Sequence, residues 1–149
     1  MSDEPRDPDC IFCRIVAGEI PAAEVARTDE VVVFMDAFPS SRGHTLVIPK
    51  AHYPTLMDMP PALLQTVGLA VQDVALAIRA ALAPDGIALS QFNGEAAGQT
   101  VFHYHQHLIP RWQGQDRRSH GKDQADSDEL NAVAALIRAE LPWAGTEAP

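Results

Sequence analysis

VFHYHQHLIPRW, running from Val101 to Trp112, sets His103, His105 and His107 on every second residue, with Phe102, Tyr104 and Leu108 in the alternate register. Alternation of this kind predicts a β-strand. Successive strand side chains leave on opposite faces, so the three imidazoles line one face and the apolar residues the other. A lone histidine there would read as an ordinary hydrogen-bonded core residue. Three in register read differently, because imidazoles packed side by side leave hydrogen bonds unmet and penalise one another's protonation unless something binds among them. Two kinds of ligand fit: a metal ion, or a phosphate group met by a histidine nucleophile whose neighbours act as donors.

Just before that strand, NGEAAGQT (93–100) supplies two glycines, a Gln and a Thr, a composition suited to a loop whose N–H groups approach a phosphate closely. GIALSQFN (86–93) ahead of it reads as a fourth strand. From Pro61, a favourable first helical residue, Leu64, Val67, Val71, Val74, Ile78 and Leu82 recur at threes and fours, which predicts a helix that PDG (84–86) stops. Near the start, CIFCRIVAGE reads as a short helical turn ended by Gly18. AEVARTDEVVVFMD follows as a hairpin, with strands Ala23–Arg27 and VVVFM joined by TDE. The loop AFPSSRG leads to a third strand, HTLVIPK, which Pro49 ends. After the histidine strand, Asp126 and Glu129 have capping-box spacing before Leu130, Val133, Ile137 and Leu141, predicting a second helix. Strands joined mostly by short links, with helices outside, give an α+β domain built on about five antiparallel strands and two main helices.

A chain of 149 residues is long enough to bury one core without staples. Its 46% hydrophobic and 21% charged content is ordinary for a cytosolic globular domain, and no stretch offers the roughly 18 uninterrupted apolar residues of a membrane span. MSDEPRDPDC lacks the basic start and apolar centre of a secretory signal, so a cytoplasmic location is expected. A net charge of −9 argues against binding to nucleic-acid polymers or anionic membranes. The one basic cluster, Arg117-Arg118, is diluted by Asp116, Lys122 and Asp123. A small phosphorylated ligand is compatible with the charge, since histidines and backbone N–H groups hold phosphate locally.

RGHTLVIPKAH adds His44 and His52. With it the ordered set CIFCRIVAGEIPA, FMDAFP, GHTLVIPKAH and NGEAAGQTVFHYHQHLIPR resembles the histidine-triad (HIT) superfamily of nucleotide hydrolases and transferases. The family mark is His-φ-His-φ-His-φ-φ with apolar φ, filled here from His103 to Ile109; Gln106 departs from the apolar rule at a position facing away from the histidines. The resemblance covers about Cys10 to Trp112. Residues 1–9 read as a flexible N-terminus, 10–112 as the domain core, 113–126 as a polar loop and 127–149 as a C-terminal helix and tail of the same domain, and the resemblance implies a HIT-like fold. It makes His105 the nucleophile at the α-phosphorus of a nucleotide, giving a nucleotidyl-histidine that water hydrolyses without a catalytic metal. Within the same resemblance His44 and His107 contact phosphate oxygens, Gln99 and Thr100 help cradle them, Asn93 lies beside the nucleotide, and Asp36 accepts from ribose hydroxyls. A homodimer, with Trp112 near the partner, is also implied.

Cys10 and Cys13 form C-x-x-C, a spacing that favours metal or redox use over a structural disulfide in a cytosolic chain. Four-coordinate zinc needs two further ligands, and the resemblance supplies His52 and His103, making a structural zinc site. The expected activity is that of a purine nucleotide phosphoramidase or dinucleoside-polyphosphate hydrolase; a slow-turnover nucleotide-binding or sensing module on the same fold is the alternative. A third reading makes the triad a catalytic metal site. That would want an adjacent carboxylate, and none lies between Gln99 and Trp112.

Overall fold

The computed structural model describes residues 4–115 and 123–144. Its strands are β1 (Glu24–Arg27), β2 (Val31–Met35), β3 (Thr45–Pro49), β4 (Gly86–Ser90) and β5 (Gln106–Arg111), and its helices are α1 (Ile11–Val16), α2 (Pro61–Leu82) and α3 (Ser127–Arg138). The strands form one antiparallel sheet in the order β1-β2-β3-β5-β4, the α+β architecture that the patterning predicts. Arg117 and Arg118, and half of the polar loop that holds them, lie outside the described residues.

β2 and β3 are buried on both faces, which is why they read as continuous apolar runs and not as alternating ones. Their alternate residues still part to opposite sides. Val31, Val33, Met35 and Val47 join the large core under α2 and α3, together with Tyr104 and Leu108. Val32, Phe34, Leu46 and Ile48 face a second cluster closed by Cys10, Phe12 and Cys13 of the α1 turn. His107 pairs with Leu46 across the sheet, so the triad opens on the α1 side.

α2 is long and apolar enough to cross a membrane by length and composition alone. In this fold it is a core helix, burying Val67, Ala70, Val71, Val74, Ala77 and Ile78 and contacting β3, β5 and α3. α3 starts where the capping spacing placed it: Asp126 is the N-cap and accepts the Glu129 N–H at 3.2 Å. At its other end Arg138 donates to the carbonyls of Val25 and Glu24, 2.7 Å each, and so covers the edge strand β1.

Two elements differ from expectation: the fourth strand, read over 86–93, ends at Ser90, and the histidine strand starts late. The strand predicted over 101–112 begins only at Gln106. The ladder stops there because the β3 partner runs into Pro49, which has no N–H to give, while the Pro49 carbonyl accepts from His103 Nε2 at 2.8 Å. Tyr104 N–H turns to the Tyr53 carbonyl, 2.7 Å away. His103 and His105 therefore precede the strand and are free of its strict alternation.

Candidate active site

That early break lets three histidines in one sequence register serve two clusters. His107, on β5, has Nδ1 2.9 Å from Nε2 of His44, and His44 Nδ1 accepts the Ser40 N–H at 3.0 Å. The backbone thereby fixes the protons. A ring nitrogen that accepts from an N–H carries a lone pair, so His44 is neutral, holds its proton on Nε2 and donates to His107 Nδ1; His107 then carries its proton on Nε2. Both nitrogens of His44, which is fully buried, thus have hydrogen-bond partners inside the protein, Ser40 and His107.

His105 is set by the same logic. Its Nδ1 is 2.7 Å from the His103 carbonyl, and a carbonyl only accepts, so Nδ1 donates and the neutral ring carries its lone pair on Nε2. The ring is 4.9 Å from that of His107. At 7% exposure it reaches solvent more than His44 (0%), His103 (0%) or His107 (3%). Asp36, just past β2, accepts the Phe38 N–H at 2.8 Å through Oδ1, while Oδ2 lies 3.5 Å from His44 Nε2 and 4.0 Å from His107 Nδ1. Asp36 is a carboxylate beside the triad that the local sequence lacks, brought in from another strand. Its donor atoms and those of His44 and His107 lie within metal-site reach of one another. The two imidazole nitrogens are at hydrogen-bond distance from each other.

Gly43 carries this loop at φ +91, and a methyl there would run into Leu82 Cδ1 and lie 3.1 Å from Pro110 Cγ. Gly43→Ala is therefore expected to cost about 1–3 kcal/mol, read as a lowered denaturation midpoint, and to lower activity further by displacing His44.

The second cluster gathers Cys10, Cys13, His52 and His103. His52 Nδ1 is 3.3 Å from His103 Nδ1, Cys10 Sγ is 3.5 Å from His103 Nδ1, and Cys13 Sγ is 3.4 and 3.6 Å from the His52 and His103 nitrogens. Tetrahedral zinc with ordinary bond lengths separates two nitrogens by about 3.3 Å and a nitrogen from a sulfur by about 3.6 Å. The donor set fits. The His103 Nε2–H bond to Pro49 fixes the tautomer that turns the Nδ1 lone pair inward, as outer partners of metal-bound histidines do. Burial lowers the His103 pKa to about 4, keeping the ring neutral. Burial, with neighbouring Cys10 adding to it, pushes the Cys13 thiol up to about 11, so a thiolate here requires a nearby cation. The two cysteines are free thiols. The Pro5 carbonyl accepts the His52 N–H at 2.8 Å, tying residue 5 to the same corner.

The glycine loop is braced from within. Gln99 accepts the Gly94 N–H through Oε1 at 2.7 Å and donates through Nε2 to the Pro54 and Val101 carbonyls at 2.6 and 3.1 Å. Asn93 Oδ1 accepts from Leu56 N–H and Gln91 Nε2, and its Nδ2 donates to Gln91 Oε1. Both side chains hold the loop's shape, whereas Thr100 is exposed. Three neighbours of the histidines escaped the sequence reading: Ser40, Phe92, whose ring lies 5.8 Å from that of His107, and Phe12. Only Phe12 had a signal, its place between the two cysteines.

An antiparallel five-stranded sheet bearing this histidine set defines a histidine-triad domain. The HIT domain family model matches residues 17–114, and the chain belongs to that family. It is 40% identical over 136 residues to the adenylylsulfatase HINT3 of Arabidopsis thaliana, covering 87% of this chain and 68% of that protein. The crystal structure of a Hit-like protein from Bartonella henselae superposes with a TM-score of 0.85 at 39% identity, over 93% of this chain and all of that one (100%). A zinc-bound histidine triad family protein from Mycobacterium smegmatis gives a TM-score of 0.79 at 36% identity, over 93% and 96% of the two chains.

Proposed function

We propose that this protein is a nucleotidyl hydrolase, of the purine nucleotide phosphoramidase or dinucleoside-polyphosphate hydrolase type, acting through a covalent intermediate on His105. The observation that carries the reading is the His105 Nδ1 bond to the His103 carbonyl, which leaves the nucleophilic lone pair on Nε2 of the most solvent-exposed buried histidine. Nε2 attacks the α-phosphorus; an N–P bond forms as the bond to the leaving group breaks, and the departing group takes its electron pair and, if an amine, a proton from solvent water, which the water of the second step returns. Water then attacks the same phosphorus, the N–P bond breaks, and a nucleoside monophosphate leaves. His107, with its proton on Nε2, donates to the phosphoryl oxygens, and the exposed Thr100 adds a second donor; such donors stabilise the charge spread over the transferring group. His44 holds His107 in the donating tautomer. Asp36 Oδ2 is the acceptor for ribose hydroxyls, while Asn93 and Gln99 keep the loop over the nucleotide in place.

Zinc on Cys10, Cys13, His52 and His103 fastens the α1 turn to the sheet and takes no part in the chemistry. The reaction class is tested with a panel of adenosine and guanosine phosphoramidates, dinucleoside polyphosphates and adenylyl sulfate, the last chosen because a relative is an adenylylsulfatase. Release of nucleoside monophosphate from at least one of them is expected; nucleotide binding with no turnover on any would favour the sensing-module alternative.

The same reading makes the protein a homodimer. Whereas Arg138 covers β1, the other edge strand, β4, bears exposed Leu89, and α2 exposes Leu69 and Leu76. A groove of about 360 Å³ runs along β4 beside Arg111 and Trp112. Pairing of these edges about a two-fold axis covers both. Leu89→Asp is expected to convert a dimer into a monomer in light scattering; a monomeric wild type at micromolar concentration would contradict the assignment.

A further inference from the structure

We propose that Phe12 is a positioning residue for His105, holding the ring so that Nε2 stays aimed at the phosphorus; the proposal rests on reading His105 as the nucleophile. Phe12 is buried in the middle of the C-I-F-C turn. Its ring is 5.1 Å from that of His105 with the planes at 86°, 5.9 Å from that of His103 at 70°, and 5.4 Å from that of Phe34 at 79°. Perpendicular rings at these separations are the favoured aromatic geometry.

The need for such a contact follows from the torsion it controls. The outer torsion of histidine is broad and roughly two-fold, so the orientation of the His105 ring depends on what packs against its faces as well as on the Nδ1 bond to the His103 carbonyl. A half-turn of the ring would exchange Nδ1 with a C–H and put another C–H where Nε2 stood, removing the nucleophile without moving the backbone. Phe12 and His107, whose ring is 4.9 Å away at 65°, stand against the His105 ring and resist that turn. Phe12 is placed by the residues around it. Cys10 caps α1 and accepts the Cys13 N–H at 3.4 Å, and the sulfurs of both reach His103, whose carbonyl is the His105 acceptor. One short turn thus sets both points that fix the nucleophile. A side chain that only filled the core among Val32, Phe34 and Leu46 would be replaced by leucine with no effect on rate.

The test compares wild type, Phe12→Leu, Phe12→Tyr and His105→Ala by kcat, KM, nucleotide affinity and the ring N–H signals in ¹H–¹⁵N spectra. Phe12→Leu is expected to lower kcat by roughly tenfold or more, the scale of a modest misalignment of reacting groups, with nucleotide affinity nearly unchanged. Its His105 Nδ1–H signal should broaden or vanish. Phe12→Tyr, which keeps the ring, should restore both rate and signal. Unchanged kcat and signal in Phe12→Leu, or a loss confined to KM and affinity, would overturn the proposal. Were His105→Ala as active as wild type, the nucleophile reading would fall, while the Nδ1–H signal would still report whether Phe12 holds the ring.

Discussion

His105→Ala is expected to lower kcat by about a thousandfold or more while changing nucleotide affinity by no more than about threefold. On the proposed mechanism the change deletes the lone pair that attacks phosphorus and leaves the rest of the site standing. His107 keeps its hydrogen bond from His44, Asp36 keeps its turn to Phe38, and the loop from Asn93 to Gln99 keeps its internal bonds. None of these passes through the His105 imidazole. Steady-state kinetics with a phosphoramidate and direct binding of the product nucleotide separate the two quantities. Residual activity above about a tenth of wild type is more than loss of a nucleophile allows and would move that role to another group.

The second large effect is on stability. Protein purified without chelator is expected to carry about one zinc per chain, and Cys13→Ser to release it and lower the melting temperature by about 10 °C, the shift that roughly 3–4 kcal/mol makes in a domain of this size. The effect is large because the donor set joins three separate parts of the chain. Cys10 and Cys13 come from the α1 turn, His52 from just beyond β3, and His103 from just before β5. Without the ion those parts are left with a buried imidazole that resists protonation and a thiol that resists ionisation. Well below the melting temperature the chemical rate should fall by less than tenfold, since the zinc makes no contact in the reaction as proposed. Metal analysis and thermal melts decide the point. Protein without zinc, or with a Cys10–Cys13 disulfide in its place, would return His52 and His103 to hydrogen-bonding roles and leave the His105 chemistry standing.

Much of this molecule was legible in its sequence because local rules and tertiary packing agree. The apolar spacing after Pro61, the β-branched run at Val31–Met35 and the Asp126 cap each specify an element without help from elsewhere. The strand at 101–112 was overextended for a physical reason: alternation in the sequence continues through His103, but the partner strand ends in a proline with no N–H to give. The division of the triad between two clusters, His107 with His44 and His103 with His52 and the two cysteines, is invisible to spacing, because all three residues obey the same period. It is set by three backbone groups, the Ser40 N–H and the carbonyls of His103 and Pro49, and backbone groups carry no sequence signature. The resemblance makes Gln99 and Asn93 ligand contacts; that their amides brace the loop depends on Pro54, Val101 and Leu56, which only the folded chain brings near.

The covalent step is tested most directly by trapping it. Wild-type protein mixed with an adenosine phosphoramidate and acid-quenched or alkali-quenched within a single turnover would be analysed by intact mass and by peptide mapping. One adenylyl group per chain, on the peptide containing His105 and absent from His105→Ala, is the expected result. Turnover with no adduct at any quench time, or an adduct on His107 or His44 in its place, would contradict it.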